Sequence, residues 1–284
     1  MQADSLRRWA LAPALVIATA AALALALIAT PAAGEAHVTY TVTIENLSGG
    51  QPFTPPVVIT HSSGIDLFET GQPASTEIQA IAENGNNDPL VTLIGGSSAV
   101  FDSAVGTAPV LPGETATLSV NAPPGSLISA AMMLICTNDG FTGLDSVVLP
   151  ASGSQTIDAV AYDAGTENNT EDFADIVPPC QGLIGVTSDD DGTGASNPAL
   201  AEGGVIGAHS GVQGGTDLTT TDHGWTDPVA RITVAVDASG LPSTGGPPLE
   251  SGSGIAWTLY LAIGGAMLLA AASVVFATNR RTVR

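Results

Sequence analysis

The chain has 284 residues, with 27 acidic residues against 6 basic ones and a formal charge of −21. All the basic residues are Arg, and only Arg231 lies in 35–240, whereas every acid except Asp4 and Glu250 does. Such a body cannot neutralise phosphates, which excludes nucleic-acid binding through a basic surface and direct basic contact with anionic lipid. Hydrophobic residues make up 44% and aromatics 4%, with 33 Gly and 19 Pro, a composition that suits short strands and turns better than a helical bundle.

The N-terminus reads as a secretory signal over 1–34. Arg7-Arg8 precedes an Ala/Leu-rich apolar run from Trp9 to Ile28, and the small residues Ala29, Ala32, Ala33 and Gly34 follow. The competing reading is an uncleaved membrane helix. Residues 37–238 then suffice for one all-β domain. Val38, Tyr40, Val42 and Ile44 alternate with Thr39, Thr41, Thr43 and Glu45, the period-two pattern of a half-buried strand. A short helix is expected at Thr76–Glu83, capped by Ser75 or Thr76 and ended before Gly85. Ala116, Leu118 and Val120 alternate with Thr115, Thr117 and Ser119. Leu127–Ile135 is continuously apolar and reads as a central strand, a signature it shares with a buried helix. Asp145–Leu149 and Thr156–Tyr162 are further strand candidates, and Ile232, Val234 and Val236 alternate along a last one. Short strands split by Gly, Pro, Asn and Asp turns predict an antiparallel β-sandwich.

Residues 239–254 form a Pro/Gly linker, and 255–277 are an apolar stretch long enough to span a bilayer. Trp257 and Tyr260 sit at its outer end. Arg280, Arg281 and Arg284 in the tail 278–284 point the C-terminus to the cytoplasm and the body outside. Within the linker, Leu241-Pro242-Ser243-Thr244-Gly245 resembles the LPxTG sorting signal of bacterial surface proteins, in which a sortase cuts between Thr and Gly and joins the Thr to the cell wall. The alternative is a linker feeding a permanent membrane anchor. Both readings place the body at the cell surface.

Cys136 and Cys180 are the only cysteines, and an even count in an exported domain favours a disulfide over two buried thiols. Catalytic signatures are missing: there is no GxSxG elbow, no HExxH, no P-loop and no GxGxxG after a strand. None of His37, His61, His209 and His223 has a partner recognisable by spacing. The acidic surplus points instead to a hard cation such as calcium, which takes six to eight oxygen ligands in flexible geometry. Two strand-end loops offer such oxygens, Cys136–Phe141 and Tyr162–Glu167; the alternative is a pair of solvated acidic turns. Ser188–Gly192 lacks the ligand positions of an EF-hand and reads as a solvated loop.

Several segments in order resemble the spondin N-terminal domain family. They are Tyr40–Leu47, Gln51–Val58, Thr60–Ser62, Leu67–Glu69 with Gly71, Asn138–Asp145, Tyr162–Glu167 and Pro228–Val234. The resemblance implies a β-sandwich related to calcium-dependent lipid-binding domains. It also implies a Ca2+ site of three carboxylates, which by motif fall on Asp139, Asp163 and Glu167. Animal members usually carry Asp at the third position, where this chain has Glu. The function expected is a non-enzymatic, calcium-binding surface domain for adhesion or matrix contact, with an extracellular ligand the sequence does not name. The alternative is a surface-anchored hydrolase with a structural calcium site, and a third reading is an inert acidic envelope protein. Aromatics in a cleft near His61, His209 and His223 would favour the hydrolase.

Overall fold

The computed structural model describes residues 37–185, 192 and 195–237. The signal segment, the sorting motif, the 255–277 stretch and the Ser188–Gly192 loop apart from Gly192 lie outside them. Among the described residues no helix is long and apolar enough to cross a membrane.

Among the described residues, ten strands form two antiparallel sheets. The four-stranded sheet runs β4 (Thr115–Ala122), β1 (Val38–Asn46), β10 (Ala230–Val236), β7 (Ser154–Ala159). The six-stranded sheet runs β3 (Val100–Val105), β2 (Val57–His61), β5 (Leu127–Met133), β6 (Gly140–Val148), β8 (Ala161–Asp163), β9 (Gly207–Ala208). Alternation in β1 works as the pattern requires. Tyr40, Val42 and Ile44 are buried, facing Val120, Leu118 and Ala116 of β4 and Val236, Val234 and Ile232 of β10 across the ladders. Together with Val58, Ile128, Ala130, Met132 and Leu144 of the other sheet they form the core between the layers.

A second core explains why β5 shows no alternation. Val57, Ile59, Ala131 and Met133 project from the outer face of the six-stranded sheet into a cluster with two helices, α1 (Thr76–Asn84) and α2 (Asp88–Gly95). A strand covered on both faces reads as a continuous apolar run. In α1, Ser75 caps the helix by accepting the Ile78 N–H at 3.2 Å, and Gly85 ends it in the left-handed region at φ 63°. Ile78, Ile81 and Ala82 of α1 and Leu90 and Ile94 of α2 turn inward.

One expected strand divides in two. Thr156–Tyr162 is not continuous: β7 pairs with β10 in one sheet, and β8 pairs with β6 in the other. The chain changes layers at Val160, whose carbonyl accepts the Thr142 hydroxyl at 2.8 Å, while the Asp227 carboxylate takes the Ala161 N–H at 2.9 Å. The expected Asp145–Leu149 strand is the distal part of the longer β6.

Candidate metal centre at the strand ends

The loop from β5 to β6 is held before any ligand is considered. Leu134 N–H donates to Gly140 O at 2.8 Å, and the Thr137 hydroxyl donates to Leu134 O at 2.6 Å while accepting the Gly140 N–H at 2.8 Å. Gln51 clamps the loop from outside, its Oε1 accepting Cys136 N–H at 3.0 Å and its Nε2 donating to His223 O at 2.7 Å. Cys136 is disulfide-bonded to Cys180, with Cα atoms 5.1 Å apart, which ties the loop to α3 (Pro179–Ile184). Both sulfurs belong to residues buried in the outer core.

Asp139 stands at the end of this loop and is fully buried. Its Oδ2 accepts three donors: Thr166 N–H at 2.7 Å, Glu167 N–H at 3.0 Å and the Thr166 hydroxyl at 3.2 Å. Its Oδ1 is buried without a partner. Asp163 lies alongside, because its Cα partner across the β6–β8 ladder is Gly140, the residue after Asp139. The Asp163 carboxylate accepts Gly165 N–H at 2.8 Å and the Asn169 amide at 2.7 Å. The turn that presents it requires glycine at 165: φ is +67°, and a Cβ there would lie 2.6 Å from Val205 N.

Glu167 is also buried, but its carboxylate is turned elsewhere. Oε1 accepts Asn197 N–H at 2.6 Å, and the side chain lines a cavity with Glu83 of α1. The three expected ligands thus occupy one end of the six-stranded sheet without meeting at one point. Among the described residues, no group of three or more His, Cys, Asp or Glu side chains is placed to hold a single ion. The fit to calcium rests on Asp139 and Asp163: adjacent carboxylates, one with a bare buried oxygen, and hard-oxygen chemistry throughout.

Electrostatics adds to that demand. Burial pushes Asp139 up to about 6, with the Asp163 charge adding to the rise and the Glu167 and Thr166 N–H groups opposing it. Burial likewise pushes Glu167 up to about 7; the Asn197 N–H opposes this, and the charges of Glu83, Asp139 and Asp175 reinforce it. The one described Arg, Arg231, is remote in the topology, on the four-stranded sheet, where it pairs with Asp158 at 2.8 Å.

The histidines are more embedded than their spacing suggested. His61 is buried, its Nε2 2.7 Å from Ser129 Oγ and its Nδ1 2.9 Å from Ser62 O. Ser129 Oγ is in turn 3.2 Å from Asp145 Oδ1 and accepts the Ser146 N–H at 2.8 Å. His209 packs edge-on to Trp225 at 5.0 Å, and His223 packs against Phe173 at 5.7 Å. Burial lowers both of their pKa values. His37 is exposed, its ring 6.0 Å from Phe101. Sequence reasoning missed Glu83 and the His61–Ser129 contact. Glu83 adjoins the Ile78–Ala82 apolar side of an expected helix, a signal that was available; the His61–Ser129 contact depends on the β2–β5 pairing.

A family model described as Spondin_N matches residues 48–175. The match starts just after β1, ends before β9 and β10, and takes in Asp139, Asp163 and Glu167. It supports a place in the spondin N-terminal family for this part of the chain. No curated protein matches the chain.

Proposed function

We propose that this domain is a non-enzymatic calcium-binding module carried on the outer cell surface, where it contacts an extracellular ligand or matrix. The observation that carries the calcium reading is Asp139: one oxygen holds the Thr166–Glu167 backbone, and the other is buried and bare beside Asp163. Calcium would be held by Asp139 and Asp163, while the motif's third carboxylate, Glu167, lines the cavity with Glu83. A buried, unpaired carboxylate is costly, and a cation offsets that cost. The Cys136–Cys180 bond suits an oxidising, extracytoplasmic setting. The test is the melting temperature of the chain in chelator and in millimolar calcium. A rise that disappears in Asp139→Asn supports the reading, and no rise in the parent protein contradicts it.

The hydrolase reading draws most on the Ser129–His61 contact. In a serine hydrolase the acid orients the histidine through its second nitrogen. Here Asp145 bonds the serine, Ser62 O occupies the second nitrogen, and Ser129 is fully buried. That arrangement favours a structural bridge between β2, β5 and β6.

For anchoring, the reading is that a sortase cleaves after Thr244 and that the mature chain is joined to the envelope through Thr244. The ordered sequence of Leu241–Gly245, apolar stretch and Arg tail supports it. Mass spectrometry of the envelope fraction tests it: a C-terminal peptide containing Trp257 at full abundance in the mature pool would contradict cleavage.

A further inference from the structure

We propose that Glu83 and Glu167 hold a second hard divalent cation in the cavity between α1 and the loop that follows β8. The cavity measures about 210 Å3 and is lined by Gln79, Glu83, Thr166, Glu167, Asn197 and Pro198, among others. Glu83 is 5% exposed and Glu167 3% exposed, so both carboxylates have been taken almost wholly out of water. Glu83 Oε1 accepts the Gln79 amide at 2.7 Å, but Glu83 Oε2 is buried and has no partner. Among the described residues, Glu167 Oε1 accepts the Asn197 N–H at 2.6 Å. A carboxylate has about four acceptor positions, so both groups retain unused lone pairs.

Among the described residues, the surroundings supply negative charge and no positive charge. Asp175 joins the group through Asn197, whose amide donates to Asp175 Oδ1 at 3.3 Å. The chain has no Lys, and the one described Arg, Arg231, is committed to Asp158 on the other sheet. Two carboxylates that line one cavity repel. A shared proton or a bound cation would relieve this. The volume favours the cation, because it accommodates an ion with its waters, whereas a proton needs no space. The donors are all oxygens: two carboxylates, the side-chain amides of Gln79 and Asn197, and water. That set suits calcium or magnesium and not a soft metal. Bound there, the ion would pin the last turn of α1 to the loop after β8. Glu83 takes no part in the Asp139–Asp163 position, so this site stands or falls separately.

The experiment counts ions. The chelator-stripped full chain, Glu83→Gln and Asp163→Asn are dialysed to equilibrium against millimolar radiocalcium, with a parallel series in magnesium. Far-ultraviolet circular dichroism verifies that each is folded. Glu83→Asp, which keeps the charge and shortens its reach, is the second variant should Glu83→Gln fail to fold. The expected result is that Glu83→Gln loses one ion of calcium or of magnesium, Asp163→Asn keeps that ion, and Glu83→Asp binds it more weakly than the parent. Glu83→Gln (or Glu83→Asp, if it alone folds) binding as much metal as the parent, the outcome of a shared proton, overturns the proposal. So does loss of all bound metal on substituting Glu83 alone, which would make Glu83 a ligand of one joint site.

Discussion

At Asp139 one carboxylate oxygen accepts three hydrogen bonds and the other accepts none. The saturated oxygen organises the backbone of the next loop, so the side chain is structural even without an ion. The bare oxygen has a consequence for pH. Asp139 rises from 3.8 to about 6 and Glu167 from 4.5 to about 7 on folding. Between those limits the folded chain binds more protons than the unfolded one. In calcium-free buffer these two groups therefore lower stability as pH climbs from about 4 to about 7, by an amount on the order of a few kcal/mol, and their effect levels off above that. Calcium competes with the protons and should oppose the trend. Urea denaturation at about pH 5 and about pH 7.5 measures it. The fall should shrink in Asp139→Asn combined with Glu167→Gln, and an unchanged fall there would assign it to the general negative charge of the body. A second residue-level prediction concerns Gly165. Alanine there must adopt φ +67° with its Cβ against Val205, so Gly165→Ala should cost roughly 1–3 kcal/mol and weaken calcium binding through Asp163. Equilibrium unfolding with and without calcium separates the two effects.

The elements around the site are linked by the Cys136–Cys180 bond, which spans a sequence separation of 44. In the chain-entropy model a loop of that size is worth roughly 4 kcal/mol. Replacing both cysteines by serine should lower stability by a comparable amount, and should weaken calcium binding because Cys136 begins the turn that ends at Asp139. Unfolding and calcium dialysis of the double variant check this; unchanged calcium binding would show that the Thr137 and Gln51 hydrogen bonds hold the turn by themselves. The sequence made some elements legible and hid others for physical reasons. β1, β4 and β10 have one face in the core and show period two; α1 has a capping Ser75 and a terminating Gly85. β2 is too short and too evenly buried, between β3 and β5, to show a period. β3 carries Asp102 and Ser103 in its middle, and α2 buries only Leu90 and Ile94, so neither has a strong apolar signature. The break at Val160 was hidden because Thr156–Tyr162 keeps strand-like residues through the crossing between sheets.

On the scale of the whole molecule, the acidic body is assembled so that its few deeply buried carboxylates gather at one end of the six-stranded sheet, on the β5–β6 loop, the β8 turn and the end of α1. The motif located the loops that carry Asp139 and Asp163. It could not show which way Glu167 turns, since that depends on Asn197, thirty residues further on. Bound calcium should therefore act globally, because its ligands are drawn from separate strands. At free calcium about twenty times the dissociation constant, binding to the folded state alone adds about 2 kcal/mol. The most direct measurement of the central claim is calcium binding by equilibrium dialysis to the parent chain, Asp139→Asn and Asp163→Asn. The parent should bind calcium saturably, with a dissociation constant of roughly 10⁻⁴–10⁻³ M, and each variant should lose an ion. Binding unchanged by both substitutions, or no binding by the parent at millimolar calcium, would contradict it.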